Sequence, residues 1–557
     1  MVRLGRLCVA LALGALALPA AGLAHPERPT HFPDYRNGAV PEYRTSDVNG
    51  GRALVVCKSD SRERIESGVS DPIVKQRNLD LLSRCGYEHI QKAVTAAGNW
   101  DRILVLPGVY REEPSRAAPD EPARCKDMYV TAETIPGTGL NLEGSAPTPS
   151  YEFQRTCPNA QNLIAITGDA DPGDENYECD DKCHIQIEGT GDSRDDVLVQ
   201  GDKHKLNVIR ADRADGIYLK NFTIEFSDFN NIYALETNGF RFDDIESRYS
   251  REYDFLSFTS DNGLYEHLDA HHAGDSGVYP GSGPEGHCAR YGIEIRNADS
   301  HDNTIGYSGT AGNGIYAHDN RFHDNAAGMT TDSFASGHPG MPQDCAKWEN
   351  NLVYSNNNNL FSNDRDAYCQ RTPYEDRDPD KVCPTFQVPV GTGLLIGGGN
   401  ENIVRGNRIY DNWRSGTRLF WVPASARGET DPSKENDTSY GNRQVANQMG
   451  VRPDGSADPN GLDFWWDEEN GYEEFPTTPG VLNCWEDNST ARGVRLTSDP
   501  AELPPCDGTR VFQPGNPEKI SSQATCASWD PQTNTDPPGC DWFTLPPEPQ
   551  PKKPSKR

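Results

Sequence analysis

The chain has 557 residues, a formal net charge of −31 and a hydrophobic content of 35%. So acidic a surface repels nucleic acid and anionic lipid and excludes them as natural partners. The apolar fraction is low for a compact globule but suits a solenoid, which has a narrow core and many polar turns.

Residues 1–24 read as a secretory signal peptide: Arg3 and Arg6, an apolar stretch from Leu7 to Ala21, then small residues before His25. No later segment is apolar enough to span a bilayer, so export to an extracellular or wall-associated location is expected. The 15 cysteines agree. Cys8 leaves with the signal, and an even number remains in four local groups: Cys57 and Cys85; Cys125, Cys157, Cys179 and Cys183; Cys288, Cys345, Cys369 and Cys383; Cys484, Cys506, Cys526 and Cys540. Bridges within groups are expected in an oxidising compartment, including at Cys179–Cys183, whose spacing beside His184 also fits a metal site.

Residues 25–86 read as a polar N-terminal extension. Ile90, Val94 and Ala97 mark one face of a short helix, and Arg102-Ile-Leu-Val-Leu-Pro-Gly-Val-Tyr110 a strand with a tight turn. The helix is placed to cover the open end of a solenoid. Residues 112–178 look like a disulfide-tied insertion, after which strand patterns resume at Cys183-His-Ile-Gln-Ile-Glu-Gly189 and Val197-Leu-Val-Gln-Gly201.

From Gly216 to Phe420 the chain repeats itself about every 23 residues, the mark of a stacked architecture. Gly216-Ile-Tyr-Leu-Lys-Asn221, Gly239-Phe-Arg-Phe-Asp-Asp244, Gly263-Leu-Tyr-Glu-His-Leu268, Gly292-Ile-Glu-Ile-Arg-Asn297 and Gly314-Ile-Tyr-Ala-His-Asp-Asn320 set the register. Each unit holds short alternating runs separated by Gly, Asn, Asp and Ser, hence strands and turns. Asn221, Asn297, Asn320, Asn351 and Asn407 are expected to share one turn position and to stack as an amide ladder, with Asn356 to Asn359 fitting a second turn. After Pro423 the repeat fades. Residues 426–545 read as a Cys- and Trp-rich cap or module, and 546–557 as a disordered basic, Pro-rich tail.

Ile90-Gln-Lys-Ala93-Val-Thr-Ala96, the strand and turn Ile103-Leu-Val-Leu-Pro-Gly-Val-Tyr110 and the units that follow resemble pectin-lyase-like right-handed β-helix proteins over roughly residues 87–423. The resemblance implies an all-β, right-handed parallel β-helix solenoid, with inserted loops near 112–178 and 369–390. It also implies an extracellular polysaccharide as partner, with lyase, hydrolase or epimerase chemistry in the members that are enzymes. The reaction signatures themselves are fragmentary. Of the polygalacturonase set only Thr331-Asp332 and Gly337-His338-Pro339-Gly340 appear. The pectate-lyase Arg-x-Pro-x-x-Arg and the epimerase Asp-Pro-His are missing, although Gly274-Asp275-Ser-Gly-Val-Tyr279 occupies a comparable strand.

Alternation puts the second and fourth residues after each Gly on the outside. Two columns result: Tyr218, Arg241, Tyr265, Glu294, Tyr316, and beside it Lys220, Asp243, His267, Arg296, His318. In a lyase reading, Arg241 or Arg296 neutralises a uronate, His267 takes the proton and Tyr265 gives one back. Tyr218, Arg241, Arg296, Tyr316 and His318 are the expected substrate-binding residues. His271, His272, Asp275, Tyr279, His318, Asp319, His323, Asp324 and Asp332 form a second cluster, from which Asp275 and Asp332 are the preferred catalytic carboxylates. On so acidic a chain a polyanionic glycan needs a basic strip or bound Ca²⁺. The competing reading is a non-catalytic surface or adhesion scaffold, whose alternating charges merely relieve like-charge stacking between rungs.

Overall fold

The computed structural model describes residues 28–118, 122–130, 148–172, 177–334, 338–427, 431–468, 478, 480–509 and 519. The stretches expected to be a signal peptide and a disordered tail, with Gly337, Cys526 and Cys540, lie outside the described residues. Each coil of the chain contributes three short strand segments, and each segment pairs in parallel with its counterpart one coil on. Ile217 pairs with Phe240, Phe240 with Gly263, Gly263 with Ile293, and Ile293 with Ile315. The first and second segments of every coil merge into one long sheet, and the third segments form a second sheet, from Asn162–Thr167 to Ser498–Asp499. Among the described strands only Tyr129–Val130 and Thr148–Pro149 pair antiparallel. This is the parallel β-helix that the repeat predicts.

One residue in the left-handed region separates the first segment from the second. Asn221, Asp244, His267, Asn297, Asp319 and Asn350 take that place with φ of 57°, 55°, 54°, 53°, 56° and 56°. A single such residue turns a strand through a corner without breaking the ladder, and Asn and Asp tolerate it best among residues with a side chain. The amide ladder forms one residue later. Asn320 Nδ2 donates to Asn351 Oδ1 at 3.0 Å, Asn351 to Asn407 at 3.0 Å, Asn407 to Asn447 at 3.1 Å and Asn447 to Asn488 at 2.9 Å. Asn221 and Asn297 therefore stand beside this ladder and not in it. Two further ladders close the other corners, Asn325–Asn356–Asn412–Asn460 and Gln343–Asn402–Asn442–Asn483.

The interior is filled by inward residues of all three segments, among them Ile217, Phe242, Ile295, Ile224, Ile232 and Phe255. Helix Ile90–Ala96 closes the first coil with Ile90, Ala93 and Val94 buried. Its first turn is capped from outside by Glu112, whose carboxylate accepts from Ile90 N at 2.8 Å and Gln91 N at 2.9 Å. Residues 25–86 contribute more than an extension, because Ala53–Val56 pairs with Arg102–Val105 as the first rung. The solenoid also continues past Pro423: Arg443–Val445 pairs with Ile403–Arg405 and Cys484–Glu486 with Arg443–Val445. Long insertions between these rungs hide the period. One of them, between Leu352–Tyr354 and Thr392–Gly397, carries the helix Asn363–Arg371. Six disulfides join described cysteines: Cys57–Cys85, Cys125–Cys157, Cys179–Cys183, Cys288–Cys345, Cys369–Cys383 and Cys484–Cys506.

Candidate functional site

The outer face of the long sheet carries the expected columns with one change of register. Tyr218 pairs with Arg241, but Arg241 pairs with Leu264, and Leu264 with Glu294. Tyr265 lies on the inward side against Phe242 and Ile295, is fully buried, and meets the rings of Phe240 and Phe242 edge-on. Its expected role as an acid is therefore withdrawn. The cause is Gly263. It occupies the inward place of Phe240 and Ile293, and a Cβ there would lie 2.2 Å from Phe240 Cζ, so the neighbouring ring fills the room a side chain would need. Asn262, with φ of 50°, takes the place held by Gly239 one rung earlier. The outward position expected for His267 falls to Glu266, and His267 stands at the left-handed corner.

The shift builds a compact centre. Asp243 accepts from the Tyr218 hydroxyl and from Lys220 Nζ, both at 2.6 Å, and pairs with His267 Nδ1 at 3.2 Å. Burial raises the Asp243 carboxyl, but these partners together hold it below its ordinary value. Beside it, Glu266 accepts from Arg241 Nε at 2.6 Å and from Arg296 Nε and Nη2 at 3.0 and 2.8 Å. The Asp243 and Glu266 side chains are 7% and 3% exposed, against 57% for His267. The imidazole is thus presented to solvent by a buried carboxylate, with Nε2 free of protein hydrogen bonds among the described residues. Sequence reasoning missed Asp243 and Glu266 as organising groups, since their partners are fixed only once the rungs are aligned.

Donor atoms of Asp243, Glu266 and His267 lie within 4.8 Å of one another. A Ca²⁺ ion fits this set poorly, because Lys220, Arg241 and Arg296 already neutralise the two carboxylates and would have to be displaced. The same pairing occupies both arginines expected to hold a uronate. Tyr218 is covered as well: Tyr43 packs on its ring at 5.8 Å, leaving it 1% exposed. Further along, Tyr316 stacks on His318 at 4.3 Å and donates to Glu349 at 2.7 Å, while His318 is held between Glu294 and Asp319.

The second segments carry a column of which sequence reasoning named His271 and His323, as members of the second cluster, but not His301, Tyr354 or Tyr410. His271, His301, His323, Tyr354 and Tyr410 stack ring on ring, with centroids 5.1, 5.3, 4.7 and 4.9 Å apart. Carboxylates clamp each central ring at both nitrogens: His301 between Asp269 and Asp302, His323 between Asp299 and Asp324. Burial works against the charged His301 imidazole, yet the two carboxylates hold its pKa up at about 10. His271 contacts His272 at 2.7 Å and Glu246 at 3.2 Å. The available signal was a His or Tyr directly after the inward residue of each second segment, at Ala270, Ser300, Phe322, Val353 and Ile409.

Asp332, at the end of strand Ala327–Asp332, and Asp275, just before strand Ser276–Gly281, lie by the other sheet and do not join His267. Asp275 accepts from Tyr253 and Ser276, Asp332 from Thr310 and the Phe334 amide, and burial pushes both carboxyls up to about 6. Their partners make them internal links of the third-segment wall.

No family model and no curated protein matches the chain. Among solved structures it is similar to the A-module of a mannuronan C-5 epimerase from Azotobacter vinelandii, at 11% identity and a TM-score of 0.41, over 73% of this chain and 92% of that one. A pectate lyase matches at 12% identity and 0.29, over 82% and 80%. A Dettilon tailspike protein matches at 10% and 0.27, over 55% and 59%. Similarity at this level lends no residue or reaction, and the architecture rests on the strand pairings. Among the described residues no helix is long and apolar enough to cross a membrane.

Proposed function

We propose that the protein binds an extracellular polysaccharide along the outer face of the long sheet, with His267 as the proton-accepting residue of a lyase-type cleavage. One observation carries this reading: His267 is an exposed imidazole oriented through Nδ1 by a buried carboxylate, Asp243, itself anchored by Tyr218 and Lys220. A carboxylate behind an imidazole fixes its tautomer and directs the other nitrogen outward, the arrangement a general base requires. Arg296, 35% exposed at its side chain and locked on Glu266, lies one rung away as the more exposed of the two guanidinium groups on that carboxylate. Polysaccharide is the fitting substrate class because stacked rungs repeat donors and acceptors along one line, as a glycan repeats its hydroxyls.

A second reading, a non-catalytic scaffold, is favoured by a specific observation. The neighbouring charges on this face are paired: Lys220 with Asp243, Arg241 and Arg296 with Glu266, His318 with Glu294. Incubation with pectin, alginate and neutral glycans, followed by ultraviolet absorbance of unsaturated ends and by reducing ends, separates the two. The His267→Asn variant is the control of choice, since Asn already occupies the same corner at Asn221 and Asn297. It should fold normally, keep polymer binding and lose about 10²-fold or more of turnover. Binding without turnover in the unmodified protein selects the scaffold.

A further inference from the structure

A second concavity, which shares Tyr218 with the first site but does not include His267 in its lining, lies where the third segment returns to the first. Residues 31–44 cross this corner as a strap and roof a cavity of about 690 Å³, whose walls include Trp100, Tyr177, His184, Asp215 and Tyr218. That volume lies within the roughly 300–1,000 Å³ usual for small-molecule sites. The roof is seated, not laid loosely. A Cβ on Gly38 would fall 2.0 Å from Asn238 Oδ1, and one on Gly239, at φ +85°, 2.4 Å from the Ala39 carbonyl. Asn238 Nδ2 donates to the Asp34 carbonyl at 2.8 Å and Asn262 Nδ2 to the Tyr35 carbonyl at 2.9 Å.

Its lining combines flat rings with groups that both give and take hydrogen bonds. Trp100 and His184 stack at 4.0 Å, and His31 and Tyr177 at 3.9 Å. Gly216, at φ +73°, lets the His184 ring lie against the backbone: a Cβ would be 2.0 Å from Nδ1. Burial and the Arg44 charge lower the His184 pKa, so the ring is neutral at physiological pH. Asp215 accepts from Asn238 N at 2.7 Å, and burial pushes its carboxyl up to about 7, a group able to donate or accept. The cations of the lining are engaged elsewhere. Arg44 donates to the carbonyls of Trp100 and His184 at 2.7 and 2.6 Å, and Arg36 is bound to Asp34. Glu42 and Glu178 stand at the rim.

We infer that this cavity is a binding site for a non-anionic sugar unit, uncharged or amine-bearing, bordered by Trp100 and Tyr177 and hydrogen-bonded to Asp215 and His184. His184 and Arg44 cover the Trp100 ring and His31 and Arg213 the Tyr177 ring, so the two rings border the site with their edges. The polar groups match the hydroxyls of a sugar, and the exposed carboxylates of Glu42 and Glu178 disfavour an anion. The choice of ligand class rests on the reading that the protein handles glycans, but the site is separate from His267.

Calorimetric titration of the full chain with cellobiose, the glucosamine disaccharide and digalacturonate tests it. Saturable one-to-one binding of cellobiose or the glucosamine disaccharide, with digalacturonate at least about tenfold weaker, is expected. Trp100→Ala should weaken it about tenfold or more, and Tyr177→Ala, near the mouth, gives a second reading should the first variant unfold. Equal binding of digalacturonate, binding untouched by both folded variants, or none by the two non-anionic sugars overturns the proposal. His267→Asn should leave disaccharide binding unchanged, so loss of polymer turnover alone speaks only to the long-sheet reading.

Discussion

At Gly263 the absence of one side chain decides which way the next four residues face. The Phe240 ring occupies the space in front of it, so Leu264 and Glu266 turn outward and Tyr265 turns in. Gly263→Val should cost about 1–3 kcal/mol by overpacking, read as a lower denaturant midpoint with an unchanged slope. The glycine register in the sequence was misleading because Asn262 does here what Gly216 and Gly239 do elsewhere: all three hold positive φ. The Phe240 ring that settles the register belongs to the rung before and is not visible in the sequence. His301 gives a second prediction at this scale. Its folded pKa of about 10 lies above its ordinary 6.5. The stability it contributes is therefore complete below about pH 6.5 and is lost as pH rises through 10. Stability curves of the parent and of His301→Gln should converge over that interval. An unchanged gap between them at pH 10 would falsify the clamp as the source of the shift.

The corner is the element on which the later coils depend, and its chemistry changes along the axis. Asn320, Asn351, Asn407, Asn447 and Asn488 form the ladder in the later coils, whereas Ala298, Leu268, Ile245 and Phe222 hold that place earlier. The Ala298 amide donates to Asn320 Oδ1 at 2.9 Å and ends the series. Asn351→Ala would take the acceptor from the Asn320 amide and one donor each from the Ala317 carbonyl and Asn407 Oδ1, while the Asn320 side chain would keep only the Ile295 carbonyl. Each buried group left without a partner costs about 1–3 kcal/mol, so this variant should be among the most destabilised in a thermal scan of surface and corner substitutions. A ladder was readable from Asn spacing, but three of the five asparagines assigned to it belong there, since a one-residue offset is invisible without the strands. The later coils were missed for the opposite reason. Their asparagines, at 442, 447, 460, 483 and 488, are in place, but the loops between them stretch the spacing from 22 or 23 residues to 40, 41 and 48.

Over the whole molecule a solenoid is held chiefly by neighbouring rungs, which gives it little means of resisting local unfolding at one end. The strap supplies contacts that skip rungs. Arg28 binds Asp212 and Glu236, the Tyr35 carbonyl accepts from Asn262, Arg290 lies over the Tyr35 ring at 4.2 Å, Tyr43 covers Tyr218, and Arg44 reaches Trp100 and His184. One segment thus links the first rungs to the coil that begins at Ile293. Buried ion pairs make part of that link costly to break, about 3–5 kcal/mol when one partner is removed. Arg28 is 5% exposed, and Arg28→Ala would leave Asp212 with Arg210, and Glu236 with Arg213 and the His31 amide. Hydrogen exchange should then quicken in the early rungs, between residues 102 and 296, while amides beyond residue 403 keep their protection. Uniform quickening along the chain would mean that the solenoid is one cooperative unit without the strap. No change anywhere would mean that the strap merely roofs the cavity and bears no part of the fold's stability.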